Sequence, residues 1–247
     1  MKHNILVTVF TIIALLLTAC DVASNTSQSD SNTDKTFNIC LVLDGTDIHS
    51  LQNGVPKVTG AEIDSLASKF TSAGLGSLYV TYVDTDCDNN PVSVFEWKTV
   101  KPEEPGAKPG YMQMSEYHRN QSAYAEAYAR YRRIRTCMLN EFSLEVAKTI
   151  RLAYSDDVAQ ARRGSDVNGA INQAVKLLGA SARAGNPEGI IILVSDGVDN
   201  VGKPINTLPP SVKLLIVNTN VIKHQYSDLV FREFATLNQA VNYIFKQ

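Results

Sequence analysis

Ile190-Ile191-Ile192-Leu193-Val194-Ser195-Asp196-Gly197 sets five apolar side chains in a row and then turns abruptly polar. In a chain that alternates strands with helices, such a run predicts a strand buried on both faces. Phe37 to Leu43 has the same character and stops in the same way, on Asp44-Gly45-Thr46. Between and around these two runs lie helical stripes. Ile63, Leu66, Ala67 and Phe70 recur at helical spacing before Gly74, and Val167, Ala170, Ile171, Ala174, Val175 and Leu178 form a second stripe.

Further strands are predicted at Gly76 to Asp84, at Val92 to Val100 as an antiparallel edge carrying Trp97, and at Leu214 to Val217. Residues 101–112, with three prolines and two glycines, read as loop. Tyr124, Tyr128, Tyr131 and Ile134 predict a long helix that breaks near Asn140 and resumes through Phe142, Val146 and Ile150. Val230, Phe234, Leu237, Val241 and Ile244 predict a closing amphipathic helix. Arg130, Arg132, Arg133 and Arg135 read as a solvated helix face, with acidic phospholipid as an alternative contact. The pattern specifies a mainly parallel sheet with helices on both faces.

In open sheets of this kind ligands bind beyond the carboxyl ends of the strands. Three polar stretches fall there: Asp44-Gly45-Thr46, Gly164-Ser165-Asp166 before a helix, and Ser195-Asp196-Gly197. Hard oxygen donors without His or Cys suit Mg²⁺, Mn²⁺ or Ca²⁺. Each stretch also has a local explanation, since Ser165 or Asp166 can cap a helix and Ser195-Asp196-Gly197 can form a turn.

Taken in order, the three stretches resemble the metal-ion-dependent adhesion site of von Willebrand factor type A domains. Asp44 and Thr46 match the first motif, Ser165 stands in the place of the family threonine, and Asp196 follows the fourth strand. The resemblance covers roughly residues 37–246 and implies a three-layer Rossmann-like α/β fold with one antiparallel edge strand. It implies a metal site of Asp44, Thr46, Ser165 and Asp196, completed by a carboxylate from a partner protein. One position departs from the pattern: Ile48 replaces the second serine and offers no oxygen, so Asp47 or Ser50 are the nearby substitutes. Without the metal, the same fold would be a structural scaffold in an envelope complex.

An enzyme is not expected. Leu43-Asp44-Gly45-Thr46 resembles part of a phosphatase motif, but Val42 stands where its nucleophilic aspartate belongs. Glycine-rich phosphate loops and Gly-x-Ser-x-Gly are absent from the sequence, and its histidines form no metal array. With 23 basic and 25 acidic side chains, the charge balance does not call for nucleic acid.

At the other end, Lys2 and His3 precede an apolar run from Ile5 to Leu17, closed by Leu17-Thr18-Ala19-Cys20. This predicts a secretory signal over residues 1–19, too short for an ordinary membrane span. The closing tetrapeptide resembles a bacterial lipobox, which implies lipidation of Cys20 and a lipid-anchored envelope protein; a plain secretory signal is the alternative. Asp21 resembles the retention signal for the periplasmic face of the inner membrane, with the outer membrane as the other location. Residues 20–36 read as a lipidated cysteine and polar tether, spanning on the order of 20 Å, and 37–247 as one domain. Of the three remaining cysteines, Cys40 reads as a small buried hydrophobe, and Cys87 with Cys137 as a possible disulfide.

Overall fold

The computed structural model describes residues 35–46, 55–107, 110, 113–154, 164–182, 189–218, 229 and 231–246. The expected signal segment, Cys20 and the tether as far as residue 34 lie outside them, as do Asp47, Ile48 and Ser50. The described residues fall in one compact unit.

The fold is α/β, with a six-stranded sheet between helical layers. In chain order the elements are β1 (Thr36–Leu43), α1 (Gly60–Ala73), β2 (Leu75–Tyr82), a short 3-10 turn (Cys87–Asn89) and β3 (Ser93–Trp97). Then come α2 (Met114–Tyr154), α3 (Val167–Ala182), β4 (Gly189–Val194), β5 (Val212–Val217), β6 (Phe231–Phe234) and α4 (Leu237–Phe245). The sheet runs β3-β2-β1-β4-β5-β6, and only the β2–β3 pair is antiparallel. The expected edge strand is thus β3, shorter than the predicted Val92–Val100.

Alternation along β1 divides the core. Ile39, Leu41 and Leu43 face the layer of α1, α2 and α4, whereas Cys40 and Val42 face α3. These five residues are fully buried, as a strand covered on both sides requires. Aromatic side chains fill the first layer: Phe95 lies 5.0 Å from Phe142 and 6.1 Å from Phe70, and Trp97 meets Tyr131 edge-on at 5.7 Å. Helix α1 opens with a reciprocal cap, in which the Glu62 amide donates to Thr59 Oγ1 at 3.3 Å and the Thr59 amide donates to Glu62 Oε2 at 2.9 Å.

Helix α2 is 41 residues long and passes Asn140 without a break. It contains neither glycine nor proline, and Asn140 is exposed, so nothing there interrupts the hydrogen-bond ladder. Its buried positions begin at Tyr131; before that its side chains are exposed or half-buried. The expected closing helix is also corrected. Phe231–Phe234 forms β6, parallel to β5, and the helix starts after Thr236, whose hydroxyl accepts from the Gln239 amide.

The arginine cluster divides as well. Arg130, Arg132 and Arg133 are exposed, but Arg135 reaches the last turns of α1. Its Nε donates to Thr71 Oγ1 at 2.7 Å and its Nη2 to the Ser68 carbonyl at 2.8 Å. A cation at a helix C-terminus also opposes the helix dipole. Arg135→Ala is expected to lower unfolding free energy by about 1.5–3 kcal/mol, the scale for hydrogen bonds from a charged group. Urea denaturation measures this, and a change under about 0.5 kcal/mol, the level of an ordinary surface substitution, would contradict it.

The structure does not join Cys87 to Cys137. Cys87 is buried in the α3 layer with Sγ 3.1 Å from the Asp166 carbonyl, while Cys137 is exposed on α2, which packs against the opposite face of the sheet. Cys40 is fully buried, and burial pushes its thiol up to about 12.

Candidate metal centre

From neighbouring positions in the sheet, β1 leads towards β2 and β4 leads towards β5, so the chain diverges between them. At such a point the loops separate and leave a crevice beyond the strand ends. Leu43 is in register with Val194, and the Asp44 amide donates to the Val194 carbonyl at 2.9 Å. Asp44 is thereby set beside the Ser195-Asp196-Gly197 turn. The entrance to α3 is brought to the same rim by the Asp166 amide, which donates to the Asp84 carbonyl at 3.0 Å beyond β2.

Three of the four expected oxygen-bearing residues join in one hydrogen-bonded chain. Asp44 Oδ1 accepts from Thr46 Oγ1 at 2.7 Å and from the Thr46 amide at 3.1 Å. Thr46 Oγ1 lies 2.9 Å from Ser165 Oγ. The fourth, Asp196, accepts from the Val198 amide through Oδ1 at 3.0 Å, and its charge acts on Asp44. Asp44 is fully buried, and Thr46, Ser165 and Asp196 are nearly so. Burial pushes the Asp44 carboxyl above its ordinary range; the Ser195 and Thr46 hydrogen bonds oppose that rise, and Asp196 adds to it.

Ser165 is available for this role because Asp166 caps the helix. Asp166 Oδ1 accepts from the Gly169 amide at 2.9 Å, three residues on. Ser165 does not serve as the cap. Its hydroxyl faces Thr46.

The donor set fits a small divalent cation. Adjacent ligands of an octahedral ion with bonds of about 2.0–2.1 Å stand about 2.9 Å apart. The Asp44–Thr46 and Thr46–Ser165 oxygen separations of 2.7 and 2.9 Å are hydrogen-bond lengths and are also compatible with that edge. The set comprises two carboxylates and two neutral hydroxyls. Among the described residues no three His, Cys, Asp or Glu side chains gather, here or elsewhere, so half of this donor set is hydroxyl. An ion here would take its remaining positions from water or from a partner.

Several residues at the rim lie outside the expected ligand set. Ser195 Oγ donates to Asp44 Oδ2 at 2.6 Å and accepts from the Gly197 amide at 2.9 Å. Gly197 sits at φ +80°, a conformation suited to glycine, and this closes the turn under Ser195. Tyr154, at the end of α2, lies against Gly45 and accepts from the Val58 amide through its hydroxyl at 3.2 Å. Asn200 and Lys203 grip the entrance of α3: Ser165 N donates to Asn200 Oδ1 at 2.6 Å, and Lys203 Nζ donates to Asp166 Oδ2 at 2.7 Å. Lys203 is held above its usual value, chiefly by that hydrogen bond to Asp166. Only Ser195 had a sequence signal, as the residue directly preceding Asp196; the others become visible through tertiary contacts.

No protein-family model matches the chain, and no curated protein matches it.

Proposed function

We propose that the protein is a lipid-anchored, protein-binding module of the von Willebrand factor A type, serving adhesion or assembly at the cell envelope. The observation that carries this reading is the meeting of Asp44, Thr46 and Ser165 oxygens where β1 and β4 end, with Asp196 alongside. Asp44, Thr46 and Ser165 would hold Mg²⁺, or Mn²⁺ or Ca²⁺, with Asp196 bound directly or through water. The cation would supply an open coordination position for a carboxylate of the partner protein. Cys20 would carry the lipid, and Asp21 favours the periplasmic face of the inner membrane over the outer membrane.

Binding is favoured over catalysis by the state of the carboxylate. Both Asp44 oxygens accept hydrogen bonds and the side chain is fully buried, so it offers no exposed nucleophile. Val42, at the phosphatase-like position, is packed in the α3 layer.

A metal-free scaffold is the second reading, and a specific observation favours it. Asp44, Thr46, Ser165 and Ser195 already satisfy one another by hydrogen bonds. Calorimetric titration of the purified protein with Mn²⁺ and Mg²⁺ separates the two. The cation reading expects saturable heat, weakened at least about tenfold, or 1.4 kcal/mol, by Asp196→Ala. Absence of heat from the parent protein leaves the scaffold. For the anchor, Cys20→Ala is expected to move the protein from the membrane fraction to the soluble one; retention on membranes would refute lipidation.

A further inference from the structure

We propose that Asn200 is a positioning residue of the candidate cation site, fixing Ser165 so that its hydroxyl stays within reach of Thr46. The inference rests on the cation reading above. Asn200 itself stands outside the set of candidate ligands. It takes both backbone polar groups of Ser165: its Oδ1 accepts from the Ser165 amide at 2.6 Å, and its own amide donates to the Ser165 carbonyl at 3.1 Å. This reciprocal pair works like a single rung of a sheet. It joins the loop leaving β4, which carries Asp196, to the segment entering α3, which carries Ser165.

The other fastenings of that segment act elsewhere. Lys203 Nζ and the Cys87 amide both hold the Asp166 carboxylate, and the Asp166 amide is bonded to Asp84. Asp199, next to Asn200, accepts from the Asn168 amide at 2.8 Å through Oδ2 and from the Gly202 amide at 2.7 Å through Oδ1. The Asn168 side chain then donates to the Lys203 carbonyl at 2.7 Å. Asn200 therefore projects from a loop pinned on both sides of it. Ser165 is the one residue of the α3 entrance that supplies a candidate ligand oxygen, and Asn200 is its backbone anchor.

The chemistry turns this geometry into affinity. A coordinating group must be held to about 0.5 Å for a small cation, and loss of an outer partner costs about 10–100-fold in metal affinity. Without the Asn200 side-chain oxygen, the Ser165 N–H has water as its remaining acceptor, the segment is left with the Asn200 backbone bond alone, and the Ser165 hydroxyl drifts from Thr46. Asn200 is itself exposed, so the folded core does not depend on it.

The test uses the purified protein with Asn200→Ala and Asn200→Asp, the latter keeping the acceptor oxygen. Mn²⁺ titration and amide exchange of Ser165 in the metal-free protein are both measured. Asn200→Ala is expected to weaken Mn²⁺ binding at least about tenfold and to speed Ser165 exchange at least about tenfold. Exchange in β4 should not change, and Asn200→Asp should restore both readouts. If the parent binds Mn²⁺ and Asn200→Ala binds it equally well, or Ser165 exchange is unaltered, the positioning role is overturned while the cation site stands. A parent that binds no Mn²⁺ overturns both.

Discussion

Asp44→Asn is expected to unfold at a higher temperature than the parent protein and, on the proposed cation reading, to show no stabilisation by Mn²⁺. When ionised, Asp44 is a fully buried charge with only hydrogen bonds from Thr46 and Ser195 to replace its hydration. Asparagine has the same shape without the charge. Its Oδ1 can keep accepting from Thr46, and its amide can donate to Ser195 Oγ. Relief of a buried charge without a change of shape acts on a scale of about 1–3 kcal/mol, and each kcal/mol moves the midpoint by about 2–4 °C in a domain of this size.

The sign with pH follows from the same burial. Because the folded carboxyl lies above its ordinary value of 3.8, the native state holds the proton more tightly than the unfolded chain. The penalty is fully present above the raised value, shrinks as pH falls through it and is gone below 3.8. The advantage of Asp44→Asn should therefore be greatest at pH above the raised value and narrow as pH falls through it towards 3.8. Thermal melts across pH, with and without Mn²⁺, check all three statements. A variant less stable than its parent at neutral pH, or one still stabilised by Mn²⁺, would contradict the assignment of Asp44 as a charged ligand held at a cost.

Gly45→Ala is expected to be among the most damaging single-methyl changes in the protein. A Cβ at position 45 would collide with the Ala153 carbonyl oxygen and stand 2.7 Å from Tyr154 Cδ1. The first obstacle is backbone at the end of α2, which no rotamer change can clear. Overpacking of this kind costs about 1–3 kcal/mol, and here the upper end applies. The strain falls between Asp44 and Thr46, so cation affinity should drop together with the midpoint of urea unfolding. A variant with unchanged stability would show that the strand exit and the helix end are free to separate.

That glycine illustrates what can be read in the chain. Its place in a polar strand exit was legible, but its reason was not, because the close neighbour is 108 residues away along the chain. Asp44, Thr46, Ser165 and Asp196 were legible because each follows an apolar run or opens a helical stripe. The adjacency of β1 and β4 depends on sheet order, which local pattern does not encode. Phe231 and Phe234 stand three apart, a spacing shared by a helix and by a short edge strand with half-buried ends. Pairing with β5 and the Thr236 cap resolve it in favour of the strand. Asn140 was a weak breaker whose local preference yielded to continuous packing of α2 on either side. Cys87 and Cys137 stand apart in the structure for a related reason: the sheet separates two cysteines that sequence alone can only count.

The sheet also fixes how the molecule would carry a load. Lys35 stands just before β1 and Asp44 just after it, nine residue steps or about 30 Å further on. Tension applied between an anchor at Lys35 and a partner gripped at the rim would run along β1. Its parallel ladders to β2 and β4 lie on both sides, so the hydrogen bonds would resist in shear, many at once, instead of peeling apart singly.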